Sequence, residues 1–260
     1  MMLDVASRTH PPVVLAYHGV NDVDAHDDPM RLVTPPRILR EQVRWLQRRG
    51  YRFLTAEELL AETAGGRPRP RTAVLTFDDG WRDAVDVTSP LLQELGVRAT
   101  YYLNPGRWGG QHPDVTGPAG RLLEEDQARS LQEAGMDLGA HTMTHPDLRL
   151  LDPAARAWEL AASKAAVEQI TGRPCRTLAY PFGLFDTAVA AAVADAGYEM
   201  ALSWQPGPWR GPFAVPRLPA PPRNGARRLA LKLYGLRVPD GVPRPLTARG
   251  VGSHLAARLR

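Results

Sequence analysis

The sequence holds a single cysteine, Cys175, among 260 residues, so it contains no intrachain disulfide and gives no sign of an oxidising compartment. Between Pro174 and Arg176, that thiol is expected to pack in a core. No apolar run reaches bilayer-spanning length. The first stretch, Met1 to Pro12, carries Asp4, Arg8 and His10 and lacks the apolar segment of an export signal. The expectation from these absences is a soluble, cytoplasmic protein. Acidic residues are nearly missing from Gln205 onward: eleven Lys and Arg face Asp240 alone, giving that segment about +10 against about −6 for the rest. Such an end is either a solvated Arg-rich tail or a surface for peripheral contact with anionic membrane. Little aromatic interleaving and no binding motif argue against nucleic acid as a partner. With 43% apolar residues the chain has enough to fill one large core.

What is present is an alternation. Strand-like runs at Pro12 to Val20, Tyr51 to Leu54, Thr72 to Phe77, Val97 to Leu103, Met136 to Ala140, Arg176 to Tyr180 and Tyr198 to Trp204 are separated by helical patterns. Thr55 and Glu58 have capping-box spacing, and Pro90 interrupts the helix expected over Asp83 to Leu95. Asn104 to Gly120 is a long Gly- and Pro-rich loop beyond a strand end, a setting that often forms a substrate wall. Pro206 to Pro222 holds seven prolines and reads as irregular, and Ala226 to Leu236 as a short basic helix. Alternating strands and helices imply a parallel sheet covered by helices.

Two motifs stand at strand ends. Thr76-Phe77-Asp78-Asp79-Gly80 sets two carboxylates side by side, an arrangement that needs a positive partner such as a metal ion. Taken alone, Asp-Asp-Gly reads as a turn. His141-Thr142-Met143-Thr144-His145 then offers two imidazoles four residues apart, suited to zinc and other late transition metals. Each histidine alone reads as a satisfied core residue.

Together with Tyr180-Pro181-Phe182-Gly183, these stretches resemble the successive signatures of the polysaccharide deacetylase family, the NodB-homology or carbohydrate esterase 4 group, over about Thr72 to Pro219. Val14 to Val20 is similar to the start of its poly-N-acetylglucosamine deacetylase branch. The resemblance implies a distorted (β/α)7-8 barrel. It divides the chain into an N-terminal strand-helix segment (1–71) packed on the barrel, a deacetylase core (72–222) and a basic C-terminal extension (223–260). It implies hydrolysis of an N-acetyl group on an amino sugar or glycan. Asp79, His141 and His145 would hold a divalent metal, Zn²⁺ first and Ni²⁺ or Co²⁺ as alternatives, with Asp78 as general base. The Phe182 N–H, in the loop opened by Tyr180, would face the oxyanion. Many members carry an Arg where this chain has Ala179, and the late histidine motif of the general acid is not evident. Arg217 is the candidate replacement guanidinium, set against an ordinary surface ion pair. His18, at the end of the first strand, is the candidate acid, with His254 behind it. Trp81 and Trp204 are the candidate sugar-stacking rings. Two rival readings stand beside this one: a hydrolase of a non-sugar amide, and a glycan-binding barrel without turnover.

Overall fold

Strands β1 (Val13–Tyr17) and β3 (Thr72–Phe77) are buried along their whole length, as parallel strands covered on both faces must be. They belong to a nine-stranded sheet in the order β8-β7-β6-β5-β4-β3-β1-β9, completed by β4 (Thr100–Leu103), β5 (Asp137–Ala140), β6 (Thr177–Ala179), β7 (Met200–Ser203), β8 (Val215–Pro216) and β9 (Leu218–Pro219). The remaining strand, β2 (Arg52–Leu54), pairs with the first half of β3. All these pairs are parallel. The structure is a computed structural model and describes residues 12–64, 68–204, 209–223 and 225–233. His254, most of the basic extension and part of the linker around Gly65 lie outside the described residues.

The two ends of the sheet order are one piece of chain. Strands β8 and β9 are separated by Arg217 alone; β8 pairs with β7 and β9 with β1. The sheet is thereby a nearly closed single-domain barrel. This corrects the reading of Pro206 to Pro222 as irregular. Prolines 216 and 219 cannot donate to a ladder, so the segment shows no strand signal. The intervening donors make the join: Arg217 N–H bonds the Ser203 carbonyl at 2.8 Å, and Ala220 N–H bonds that of Ala16 at 2.9 Å. The N-terminal segment supplies staves of the barrel, since β1 lies between β3 and β9.

Helices cover the outside. The first, α1 (Pro36–Arg48), buries Ile38, Leu39, Val43 and Leu46 at helical spacing. From the same face, Gln42 accepts the Tyr17 hydroxyl at 2.7 Å and donates to the Pro221 carbonyl at 2.7 Å, tying the first stave to the closing segment. Helix α2 (Ala56–Thr63) starts with the Thr55/Glu58 capping box. A π turn over Ala84–Thr88 precedes α3 (Ser89–Glu94), whose first turn takes Pro90. Then follow α4 (Glu125–Glu133), α5 (Pro153–Thr171), α6 (Thr187–Asp195) and α7 (Gly225–Leu233). Among the described residues no helix is long and apolar enough to cross a membrane.

One buried carboxylate fastens the end of β1. Asp83 accepts the Val20 N–H at 2.9 Å and the Thr88 hydroxyl at 3.0 Å, and burial pushes its carboxyl up to about 7. A folded-state pKa above the unfolded value means that folding takes up a proton. The contribution of Asp83 is complete below the unfolded pKa and lost as pH rises through about 7. Asp83→Asn should flatten the fall of melting temperature between about pH 4 and about pH 7 relative to the unsubstituted protein. Parallel melting curves across that window would refute this assignment.

Candidate active site

The residues singled out by the sequence gather at the carboxyl ends of the strands, where parallel barrels carry their sites. Asp78 and Asp79 follow β3, His141 follows β5 and His18 follows β1. Asp79, His141 and His145 each offer a ligand atom within 4.8 Å of the others. The Asp79 Oδ1 atom lies 3.5 Å from His141 Nε2 and 3.3 Å from His145 Nε2, and is buried without a hydrogen-bond partner. An orphaned buried carboxylate oxygen facing two imidazoles fits a divalent cation. His141 Nδ1 lies 2.7 Å from the Ala179 carbonyl, which fixes the proton on Nδ1 and leaves the Nε2 lone pair facing Asp79. Burial drives the His145 imidazole down to about 3, so this ring is neutral and can ligate.

The backbone is bent to achieve this. Asp79, Thr142, His145 and Phe182 all adopt positive φ, between 58° and 70°, which non-glycine residues rarely do. Such conformations persist where surrounding bonds over-determine them. Here the Thr142 hydroxyl accepts His145 N–H at 3.1 Å. Glu159, buried on α5, accepts the N–H groups of Met143 and Thr144 at 2.8 and 2.9 Å, and the Thr144 hydroxyl. From the end of β4, the Asn104 amide donates to the carbonyls of His141 and Thr142.

Asp78 faces a guanidinium. Arg217 donates from Nη1 to Oδ1 at 2.7 Å and from Nη2 to Oδ2 at 2.8 Å, and from Nη1 to Thr76 Oγ1 at 3.1 Å. Both side chains are essentially inaccessible, so the pair is no surface ion pair. Burial alone would raise the Asp78 carboxyl, but Arg217, joined by His141 and His18, holds the group below its usual value. The residue that joins β8 to β9 thus meets Asp78, at the end of a strand two places along the sheet from β9 and 139 positions away in sequence.

Residues 65–201, more than half of the chain, match the polysaccharide deacetylase family. The chain belongs to that family. It is 26% identical over 195 residues to the putative polysaccharide deacetylase YxkH of Bacillus subtilis, covering 75% of this chain and 64% of that protein. It is 23% identical over 215 residues to the poly-β-1,6-N-acetyl-D-glucosamine N-deacetylase of Staphylococcus epidermidis, covering 74% and 72%. Among solved structures, the Streptococcus pyogenes deacetylase PplD, determined in complex with acetate, superposes with a TM-score of 0.74 at 23% identity over 85% of this chain and 97% of that one. At that identity the likeness speaks for the fold. The chain thus spans a little under two thirds of the YxkH relative and half or less of several other curated relatives.

In this deacetylase-family barrel the remaining predicted residues divide. His18 joins the cluster: its Nε2 lies 3.9 Å from Asp79 Oδ2 and its ring meets Trp204 edge-on at 5.3 Å. Burial lowers the His18 imidazole below its usual value, against the pull of Asp79 and Asp78. Phe182 stands edge-on to His145 at 4.6 Å, in a turn whose next two N–H groups bond the Tyr180 and Pro181 carbonyls. Gly183 is needed there, since a Cβ would lie 2.5 Å from the Trp204 backbone and side chain. Tyr180 turns away from the cluster. Its hydroxyl donates to the Phe213 carbonyl at 3.1 Å and its ring stacks on Phe185, because the residue before Pro181 still follows the buried face of β6. Trp81 is not an open platform. It is 2% exposed, with the Gly19 backbone on its ring and His112 stacked on it at 4.6 Å.

Three participants escape a sequence reading. His112 comes from the long loop and places Nε2 3.4 Å from Asp79 Oδ2. Asn104 gives no sign beyond its strand-end position. Glu159 alone leaves a signal: it falls on the stripe of α5 that buries Leu160, Ser163, Val167 and Ile170, where a carboxylate is out of place unless it has partners.

Proposed function

We propose that this protein is a metal-dependent hydrolase that removes the acetyl group from an N-acetylated amino sugar, converting the amide and one water into a free amine and acetate. The observation that carries this is Asp78, a buried carboxylate kept ionised by the Arg217 fork beside the orphaned Asp79 Oδ1 and its two imidazoles. Asp79, His141 and His145 would hold the metal, with zinc favoured by the donor set of two imidazoles and a carboxylate. When bound, such an ion polarises the acetyl carbonyl and favours ionisation of the attacking water. Asp78 takes the proton from the attacking water. Arg217 keeps its two oxygens aligned and charged. The Phe182 N–H stabilises the developing oxyanion. His18 gives a proton to the leaving amine, and Trp204 borders the sugar. The Staphylococcus epidermidis relative is named for poly-β-1,6-N-acetyl-D-glucosamine, and other relatives are named as chitin deacetylases. Oligomers of N-acetylglucosamine in both linkages are therefore the substrates to test. Acetate and free amine should appear in equal amounts from at least one series, and Asp78→Asn should release both about 10⁴-fold more slowly. Release by the Asp78→Asn protein at the unsubstituted rate would refute the assignment.

His18→Ala should lower kcat about 10²-fold, the low end for a general acid, because burial already limits the protonated fraction of this imidazole. Metal content should not change. The loss should shrink on an ester substrate, whose leaving group needs less protonation. A normal kcat on the N-acetyl substrate would remove His18 from the mechanism.

A further inference from the structure

His112 lies in the long loop after β4, outside both metal-site motifs. We infer that His112 is a positioning residue, donating from Nε2 to the outer oxygen of Asp79 and so aiming the inner oxygen at the metal; this rests on the reading of Asp79 as a ligand.

The two oxygens of Asp79 face different neighbours. Oδ1 looks toward His141 and His145, while Oδ2 looks toward His112 Nε2 at 3.4 Å and His18 Nε2 at 3.9 Å. The tautomer of His112 is set by its other nitrogen. Nδ1 accepts the Asp114 N–H at 3.2 Å, so in the neutral ring the proton sits on Nε2, on the side of Asp79. The ring is 6% exposed and lies parallel to Trp81, with 20° between the planes. Its backbone is held as well. His112 N–H bonds the Gly120 carbonyl at 2.7 Å, and Gln111 bonds the carbonyls of Val115 and Gly117. A Cβ at Gly120 would fall 2.3 Å from the Val115 carbonyl oxygen, so glycine is required for the turn that delivers the imidazole. Thr116 fastens the same turn to Asp27 through its N–H at 3.0 Å and its hydroxyl at 2.7 Å. A donor held by Asp114, Trp81 and Gly120, in a turn pinned by Gln111 and Thr116, fixes the orientation of the ligand carboxylate beside it, and such outer partners commonly govern metal affinity.

Three substitutions separate the donor from the packing. His112→Phe keeps a flat ring on Trp81 and removes the donor. His112→Gln loses the ring but retains a side-chain N–H. His112→Ala removes both. Zinc affinity is read by chelator competition on the full chain, with melting temperature as a check on folding. The Phe and Ala proteins should bind zinc about 10- to 100-fold more weakly, and the Gln protein should recover most of that loss. With Co²⁺ in place of zinc, all three should keep the visible absorption intensity of the unsubstituted protein, since no ligand is removed. Normal zinc affinity in His112→Phe, or a Gln protein as weak as Phe, overturns the inference. So does a changed Co²⁺ spectrum, which would make His112 a ligand. An unsubstituted protein that binds no zinc would instead bring down the metal site itself.

Discussion

Asp78→Asn is expected to lower turnover by about 10⁴-fold while leaving metal content unchanged, the upper range for loss of a positioned general base. The same substitution at Asp79, or alanine at Asp79, His141 or His145, is expected to remove metal and turnover together. The contrast follows from geometry. Asp79 Oδ1 is the orphaned oxygen shared by both imidazoles, whereas both oxygens of Asp78 are engaged by Arg217. Metal analysis after dialysis, set beside acetate release, distinguishes the two groups. If Asp78→Asn emptied the site and Asp79→Asn did not, the two carboxylates would have to exchange roles.

Arg217→Met is expected to cost about 3–5 kcal/mol of stability, because it leaves a carboxylate buried with no cation. At pH 7 it should also reduce kcat/KM by about 10³-fold, within the range for disabling a general base. The pH dependence carries the sign. Arg217 holds the Asp78 carboxyl below its usual value against a burial effect that would raise it. Without the guanidinium the pKa rises, the base is protonated over more of the acidic range, and the acid limb of the kcat/KM profile moves to higher pH. Arg217→Lys keeps a charge but not the two-pronged contact, so it should recover stability more fully than rate. An unmoved acid limb in Arg217→Met would show that Asp78 is not the titrating base.

The barrel was legible because each strand from β3 to β6 is a short, mostly apolar run followed, directly or beyond a loop, by a helical pattern, and tertiary packing reinforces that local signal. The site was legible where its residues are neighbours in sequence. Asp78 and Asp79 are adjacent, and His141 and His145 share one loop. Closure was not legible. Val215 to Pro219 is a stave broken into two short pairs around Arg217, and its prolines erase the pattern on which strand recognition depends. Arg217 was visible as a candidate, but its partner lies 139 positions away in sequence, and no local rule connects position 217 with position 78. Trp81 shows the opposite failure. Its place beside the metal motif invites a substrate role, whereas Gly19 and His112 cover its ring from outside the motif. His112 escaped because a Gly- and Pro-rich loop carries no periodicity from which a side chain's direction follows.

One titration tests whether amide hydrolysis by this protein depends on a bound metal. The protein is stripped with chelator and assayed for acetate release from N-acetylglucosamine oligomers as zinc is added back. Activity should be absent from the stripped protein and return in proportion to zinc bound, reaching its maximum at one ion per chain. Full acetate release by the stripped protein, or none at any zinc occupancy across both linkage series, would contradict it.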